Sequence, residues 1–309
     1  MNIHTLLLRL YPRHWRERYE EEFLVILTSH PFSWLEGIDI IRGAFDAHLH
    51  PSLGTADKSP LEKTKHMNAS LRSSLLIIFC AYIGIILPGM GLQKMAEDAE
   101  FQRIASTSSP VGITFTLVII GAISALLAVV IGGVPIVISA IRSALVRKRY
   151  ELLVGLAVPV LVYMAFLNMT QLHITLFPQG SQPSTPEHIL IGRTIFVCML
   201  LIAAIASAGS VCFTVARSDV SEHALRFAVV PSTLATLSMV LIAMATILCG
   251  FATRASASQF FAGNHGIVDM STSGTWLGIS LAMIVTSVLA VIGLVRGLSV
   301  HSTLHKITA

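Results

Sequence analysis

Six long apolar stretches follow a charged N-terminal region. They cover residues 73–91, 111–141, 152–177, 189–216, 227–251 and 275–295. About 20 residues of helix cross the hydrocarbon of a bilayer, and each stretch meets or nearly meets that length. Backbone amides inside a bilayer must bond within their own segment, which favours helices. The pattern therefore predicts an all-α polytopic membrane protein whose six transmembrane helices form a bundle over residues 72–297.

The pattern changes to amphipathic helices before the first apolar stretch. Apolar and aromatic side chains recur every four residues from Trp15 to Leu27, which places them on one helical face. A second stripe of this kind consists of Trp34, Ile38, Ile41 and Phe45. We therefore expect a three-helix cytoplasmic domain at 1–50, a solvated linker at 51–71 and a cytoplasmic tail at 298–309.

Lysines and arginines predict which way the spans cross the membrane. Seventeen of them lie on the side of the two termini, whereas four lie on the other side, namely Lys94, Arg103, Arg193 and Arg254. Cytoplasmic segments carry the excess of basic residues in membrane proteins. Both termini are therefore expected in the cytoplasm.

The composition agrees with a membrane protein and narrows its chemistry. Hydrophobic residues make up 54% of the chain and charged residues only 12%, against about 25% charged residues in an ordinary soluble domain. The basic balance is explained by topology and anionic lipid, so no nucleic-acid partner is expected. Four cysteines lie inside apolar stretches without metal-ligand spacing, and we expect them to be free, buried thiols: Cys80, Cys198, Cys212 and Cys249.

The N-terminal region also carries a distinctive string. The run Leu8-Arg9-Leu10-Tyr11-Pro12-Arg13-His14-Trp15-Arg16-Glu17-Arg18-Tyr19-Glu20-Glu21-Glu22-Phe23, with Arg42-Gly43-Ala44-Phe45-Asp46-Ala47-His48-Leu49, resembles a recurrent N-terminal segment of uncharacterised bacterial multi-span membrane proteins. A similar segment precedes some permeases of the macrolide-exporter type, and related helical domains occur near PadR-type transcriptional regulators. The resemblance implies a bacterial cytoplasmic (inner) membrane and a role in signalling. This chain departs from the exporter permeases because its external loops are short.

One basic surface and one polar patch are the candidate sites. Four arginines of the N-terminal domain are expected to contact anionic lipid or an acidic cytoplasmic protein: Arg9, Arg13, Arg16 and Arg18. The alternative is a solvated face, because neighbouring glutamates neutralise part of its charge. Polar residues near the non-cytoplasmic ends of the third and fourth spans form either a ligand pocket or interhelical hydrogen bonds: Asn168, Gln171, His173, Thr175 and Arg193.

The interiors of the spans predict a protein without catalytic chemistry. They contain no Asp, Glu or Lys, which proton relays and intramembrane proteases need. We therefore expect no enzyme, no cofactor and no metal. Small residues of the fourth span, such as Ala204 and Ala208, allow close helix packing, inside the bundle or in a homo-oligomer.

The leading hypothesis is a membrane-embedded signalling, regulatory or scaffold protein with a cytoplasmic helical docking domain. The alternative is a transport component, either a small-solute carrier or a permease subunit that works with a separate ATPase. A carrier should have a polar cavity at mid-depth between broken helices, whereas a sensor or scaffold need not.

Overall fold

The computed structural model describes most of the chain, namely residues 8, 10–11, 13–28, 37, 39–40, 43–44, 60–176, 186–263 and 271–308. The chain divides into two compact units. One unit contains residues 1–75 together with 292–309, and the other contains residues 76–291.

The described residues form nine α-helices and no β-strand. These are α1 (Arg13–Thr28), α2 (Pro60–Ala96), α3 (Ala99–Thr107), α4 (Ser109–Val146), α5 (Tyr150–Leu176), α6 (Pro186–Arg217), α7 (Glu222–Ser256), α8 (Ser258–Ala262) and α9 (Thr272–Thr308). Six of them are long and apolar enough to cross a membrane: α2, α4, α5, α6, α7 and α9. The six-helix architecture that the apolar stretches predict is confirmed.

Helices α4 and α7 of the larger unit pack on each other extensively. Glycines of α4 let the two backbones approach closely, as small residues do in membrane helices. A Cβ atom on Gly121 would lie 2.8 Å from the Ile242 side chain, and one on Gly132 would lie 3.0 Å from the Cβ of Pro231. This pair of helices therefore shares a close-packed seam.

Helix α7 is the most enclosed of the six spans. More than half of its most apolar segment is buried, whereas at most a third is buried in any other span. Helix α9 runs antiparallel to it: the Ser287 hydroxyl donates to the Met239 carbonyl at 3.1 Å, and the Trp276 indole lies against Gly250. Helices α5 and α6 pack on each other, partly through the rings of Phe166 and Phe196, and they bury the least of their surface.

The smaller unit has its own apolar core. Helix α1 contributes the stripe that the four-residue spacing predicts, with Trp15 and Phe23 in an edge-to-face contact of 5.3 Å between ring centroids. Tyr11 stacks on Trp15 at 4.0 Å. The buried residues of this core are Leu8, Tyr11, Leu27, Ile40 and Ala44. The predicted second stripe, from Trp34 to Phe45, lies outside the described residues, so the three-helix domain stays a prediction.

Two predicted boundaries differ from the structure. Residues 60–71 of the expected linker are already the first turns of α2, and residues 298–308 of the expected tail continue α9. The physical reason is burial, because Met67 and Leu71 in α2 and Val300 and Leu304 in α9 are all at most 1% exposed. Apolar side chains that pack in this way stabilise helical turns that polar composition alone would leave as coil.

The turn after α4 contains a strained residue. Lys148 has φ 54°, in the left-handed region where glycine is preferred. Its N–H and that of Arg149 bond to the Leu145 and Ala144 carbonyls, the pattern of a Schellman cap.

We expect Lys148→Gly to raise the free energy of unfolding by about 1 kcal/mol, because glycine relieves the left-handed strain. Lys148→Ala is the matched control: it removes the same charge but keeps a Cβ. In detergent, the glycine variant should have a higher melting temperature than the alanine variant. Equal melting temperatures would show that the left-handed backbone at Lys148 is not strained.

Candidate functional site

The end of the larger unit that carries the turns at 147–149 and 218–221 contains a groove of about 660 Å³. We name it the basic groove. It lies between the last turns of α4 and the first turns of α7, and its lining is Pro135, Ile138, Ser139, Arg142, Ser143, Val146, Arg147, Asp219, Ser221, His223, Ala224 and Phe227. Its size falls in the range of small-molecule and cofactor sites.

Two serines of α4 fix the wall of the basic groove. Ser139 and Ser143 are one helical turn apart and so lie on one face of α4. The Ser139 hydroxyl accepts a hydrogen bond from the Ser221 N–H at 2.8 Å, and the Ser143 hydroxyl accepts one from the Asp219 N–H at 3.3 Å. Ser221 in turn caps α7, because its hydroxyl accepts from the Ala224 N–H at 3.4 Å. The turn between α6 and α7 is therefore attached to α4 by hydrogen bonds from its backbone N–H groups to two serine hydroxyls.

The charges of the basic groove do not cancel. Arg147 and Asp219 form an ion pair, and since both side chains are more than half exposed, the pair adds little stability. Arg142 is exposed and has no charged partner in the part of the chain that the structure describes. The remaining positive charge lies beside Ile138, Val146 and Phe227. This combination suits an amphipathic anion, with a negative group at Arg142 and an apolar part along the helices.

A second recess lies at the other end of α4 and α7, and we name it the polar crevice. Its volume is about 750 Å³, and it is lined by Glu100, Arg103, Ile104, Thr107, Ser108, Ser256, Ala257, Ser258, Gln259 and Phe260. The hydroxyls of Ser108 and Ser256 are 2.9 Å apart and join the start of α4 to the end of α7.

Short helices close this end of the bundle. Phe101 of α3 is 1% exposed and contacts Phe115 and Phe260, with ring centroids 5.6 Å and 6.3 Å away. The N-terminus of α3 is capped by Asp98, whose carboxylate accepts from the Glu100 N–H at 2.8 Å. The segment between α2 and α4, a short loop by sequence, is thus an ordered helix with an aromatic anchor.

The structure describes part of the polar patch that the sequence predicts at the ends of α5 and α6. The Asn168 amide donates to the Met164 carbonyl and the Thr175 hydroxyl donates to the Leu172 carbonyl, both at 2.7 Å and both within α5. These two side chains and Gln171 are exposed. The side chains of His173 and Arg193 lie outside the described residues. The pocket therefore stays a prediction. The hydrogen bonds described for Asn168 and Thr175 are both within α5.

The predicted basic surface is described in one residue only. Arg16 is half-buried on α1. Arg9 and the side chains of Arg13 and Arg18 lie outside the described part of the chain. Contact with lipid or with an acidic protein at this surface remains a prediction.

The cysteines partly follow the sequence expectation. All four are free, but only Cys249 is buried, whereas Cys80 and Cys198 are exposed and Cys212 is half-buried. An apolar stretch predicts that its side chains avoid water, whether lipid or protein surrounds them. Only the structure distinguishes side chains buried in protein from those on its surface.

From the sequence alone, the arginines of the basic groove indicated only which side of the membrane they lie on. A usable signal was present, since Ser139 and Ser143 have helical spacing just before a basic turn, and Ser221 with Glu222 has the form of a helix start. What the sequence lacked was the pairing of α4 with α7. The chain matches no family model, no curated protein and no solved structure in the comparisons made.

Proposed function

We propose that this chain is a non-enzymatic signalling or regulatory protein of a bacterial cytoplasmic membrane, with a helical docking region at its cytoplasmic N-terminus. The observation that carries the proposal is that a recess lies at each end of the close-packed pair α4 and α7. The two helices line the basic groove themselves, whereas the polar crevice is lined mainly by α3 and α8 and reaches the pair at Ser108, the N-cap of α4, and at Ser256, the last residue of α7. With both termini cytoplasmic, the polar crevice opens to the outside and the basic groove to the cytoplasm. The helix pair α4 and α7 would then transmit a change at the polar crevice to the basic groove on the cytoplasmic side.

The proposed mechanism is a shift between two packings of one helix pair. A solute that enters the polar crevice between Ser108 and Ser256 separates the outer ends of α4 and α7. Since their seam is close-packed at Gly121 and Gly132, the helices move as rigid elements rather than bending locally. At the other end this motion alters the attachment of the 218–221 turn to Ser139 and Ser143.

The polar groups inside the protein favour this function over a carrier. The buried polar residues that the structure describes are serines and threonines. Several of them bond to their own helix, as Thr236 does to the Ser232 carbonyl at 2.9 Å and Thr253 to the Cys249 carbonyl at 2.8 Å. Ion-coupled carriers use buried ionisable groups instead.

One observation favours the alternative, a transport component. Thr246 of α7 and Ser280 of α9 lie at the same level of their antiparallel pair, between the Met239–Ser287 and Gly250–Trp276 contacts. Both hydroxyls are buried and have no hydrogen-bond partner among the residues that the structure describes. A polar solute path through the bundle would give these hydroxyls partners.

Labelling in proteoliposomes tests the proposed coupling. In a chain with its native cysteines replaced by alanine, Arg142→Cys reports on the basic groove. We expect Ser256→Leu, at the polar crevice, to change the rate of Arg142→Cys modification by a water-soluble maleimide about fivefold or more, the lower range of allosteric coupling. Ala255→Leu, on the neighbouring exposed position, is the matched control and should leave the rate unchanged.

The outcome separates the two functions. An unchanged rate in the Ser256→Leu variant would contradict the coupling. Modification of Thr246→Cys by a small water-soluble thiosulfonate would place water between α7 and α9, which supports transport instead.

A further inference from the structure

Two cysteines that are 132 residues apart in sequence meet between two spans. The sulfur atoms of Cys80 on α2 and Cys212 on α6 are 3.3 Å apart, at hydrogen-bonding distance for a thiol pair. Both residues belong to the larger unit. In the described part of the chain, Cys198 and Cys249 have no sulfur partner.

The thiol pair is accessible from the lipid. Cys80 is exposed on the protein surface and Cys212 is half-buried. Cys212 lies five residues before Arg217, at the end of α6, so a helical rise of about 1.5 Å per residue puts it about 8 Å from that end. A reagent that dissolves in the bilayer can therefore reach the pair, whereas it reaches the enclosed Cys249 less readily.

We propose that Cys80 and Cys212 are a reversible dithiol–disulfide pair that a lipid-soluble oxidant of the quinone class oxidises. In the forward step the two S–H bonds break and one S–S bond forms. The sulfurs together lose two electrons, and the quinone takes up these electrons and both protons to become a quinol. A dithiol reductant reverses the step. The site is therefore a modification site that responds to the redox state of the membrane.

The geometry requires little movement. A disulfide bond is about 2.05 Å long, so the sulfurs must approach by about 1.3 Å. Rotation about the side-chain bonds can supply a movement of this size without displacing either helix. Among the described residues, Cys198, which is exposed on the same helix as Cys212, has no comparable partner.

The bond would have a defined structural consequence. Helices α5 and α6 bury less of their surface than the other spans, and a covalent link from α6 to α2 would attach this hairpin to the rest of the bundle. Oxidation should therefore raise the melting temperature of the intact chain and slow its proteolysis within the α5–α6 hairpin.

The experiment uses the full chain in proteoliposomes with decylubiquinone as the oxidant. In the Cys198→Ala/Cys249→Ala variant, we expect the number of free thiols after denaturation to fall from two to zero. The chain should stay monomeric on a non-reducing gel, become lighter by two hydrogen atoms, and regain both thiols with dithiothreitol. The matched control, Cys80→Ala/Cys212→Ala, should keep both of its thiols.

Peptide mapping of the unsubstituted chain removes any dependence on how the variants fold. A linked Cys80–Cys212 peptide after oxidation supports the proposal. Four free thiols left in the unsubstituted chain after oxidation, a disulfide between chains, or a quinone covalently added to sulfur would each overturn it.

Discussion

Substitution of Gly250 by alanine should lower the free energy of unfolding by about 1–3 kcal/mol, the usual cost of overpacking a close-packed core. Gly250 lies on α7, and a Cβ atom there would overlap the indole of Trp276 on α9. The indole is only 5% exposed, so it cannot turn aside into free space. Helices α7 and α9 would have to separate at this level.

A double-mutant cycle measures whether the overlap is the cause. In a Trp276→Ala background, Gly250→Ala should cost almost nothing, because the obstructing ring is absent. Gly278→Ala on α9 is a control, since in the described part of the chain a Cβ built there meets no atom within 4 Å apart from its own helix. That substitution should be neutral or stabilising, as alanine favours helix over glycine by about 1 kcal/mol. An equal loss of melting temperature at both glycines would contradict the contact.

The second large effect is expected in the smaller unit. Truncation of a packed phenylalanine to alanine lowers the free energy of unfolding by about 3–5 kcal/mol. The loss for Phe23→Ala should approach the lower end of this range, because Phe23 is only partly buried. The substitution would remove two aromatic contacts, with Trp15 at 5.3 Å and with Tyr11 at 6.0 Å. A core with few large side chains has little reserve against such a loss.

Limited proteolysis of the full-length protein in detergent provides the measurement. Phe23→Ala should raise the rate of cleavage within residues 8–28 several-fold above that of the unsubstituted chain, while the spans stay protected. Val25→Ala is the matched control on the same helix, since Val25 is 70% exposed. Cleavage at the same rate in both variants would show that the aromatic cluster does not stabilise the unit.

The basic groove and the N-terminal arginines point to the same class of partner. Arg142 beside apolar side chains suits an amphipathic anion, and the arginines from Arg9 to Arg18 are expected to contact anionic lipid or an acidic protein. Each basic side chain near an anionic leaflet contributes about 1 kcal/mol.

By itself the sequence determined the six spans and the apolar face of α1. Both depend on local properties, because hydropathy over about 20 residues selects a transmembrane helix and a four-residue spacing selects one face of a helix. That is why the predicted 111–141 and 227–251 stretches fall inside α4 and α7. Helix ends were predicted less well, as at Pro60, because burial by distant residues decides how far a helix continues.

Only the tertiary structure decided which helices meet. The basic groove needs Ser139 beside Ser221, the overlap at Gly250 needs Trp276, and the thiol pair needs Cys80 beside Cys212. These contacts join residues far apart in sequence, and all six spans are apolar on most of their surface. Hydropathy therefore cannot distinguish a lipid-facing side from a packed one. Shape complementarity between helices makes that choice, through small residues at close approaches and through hydroxyls that reach a neighbour's backbone.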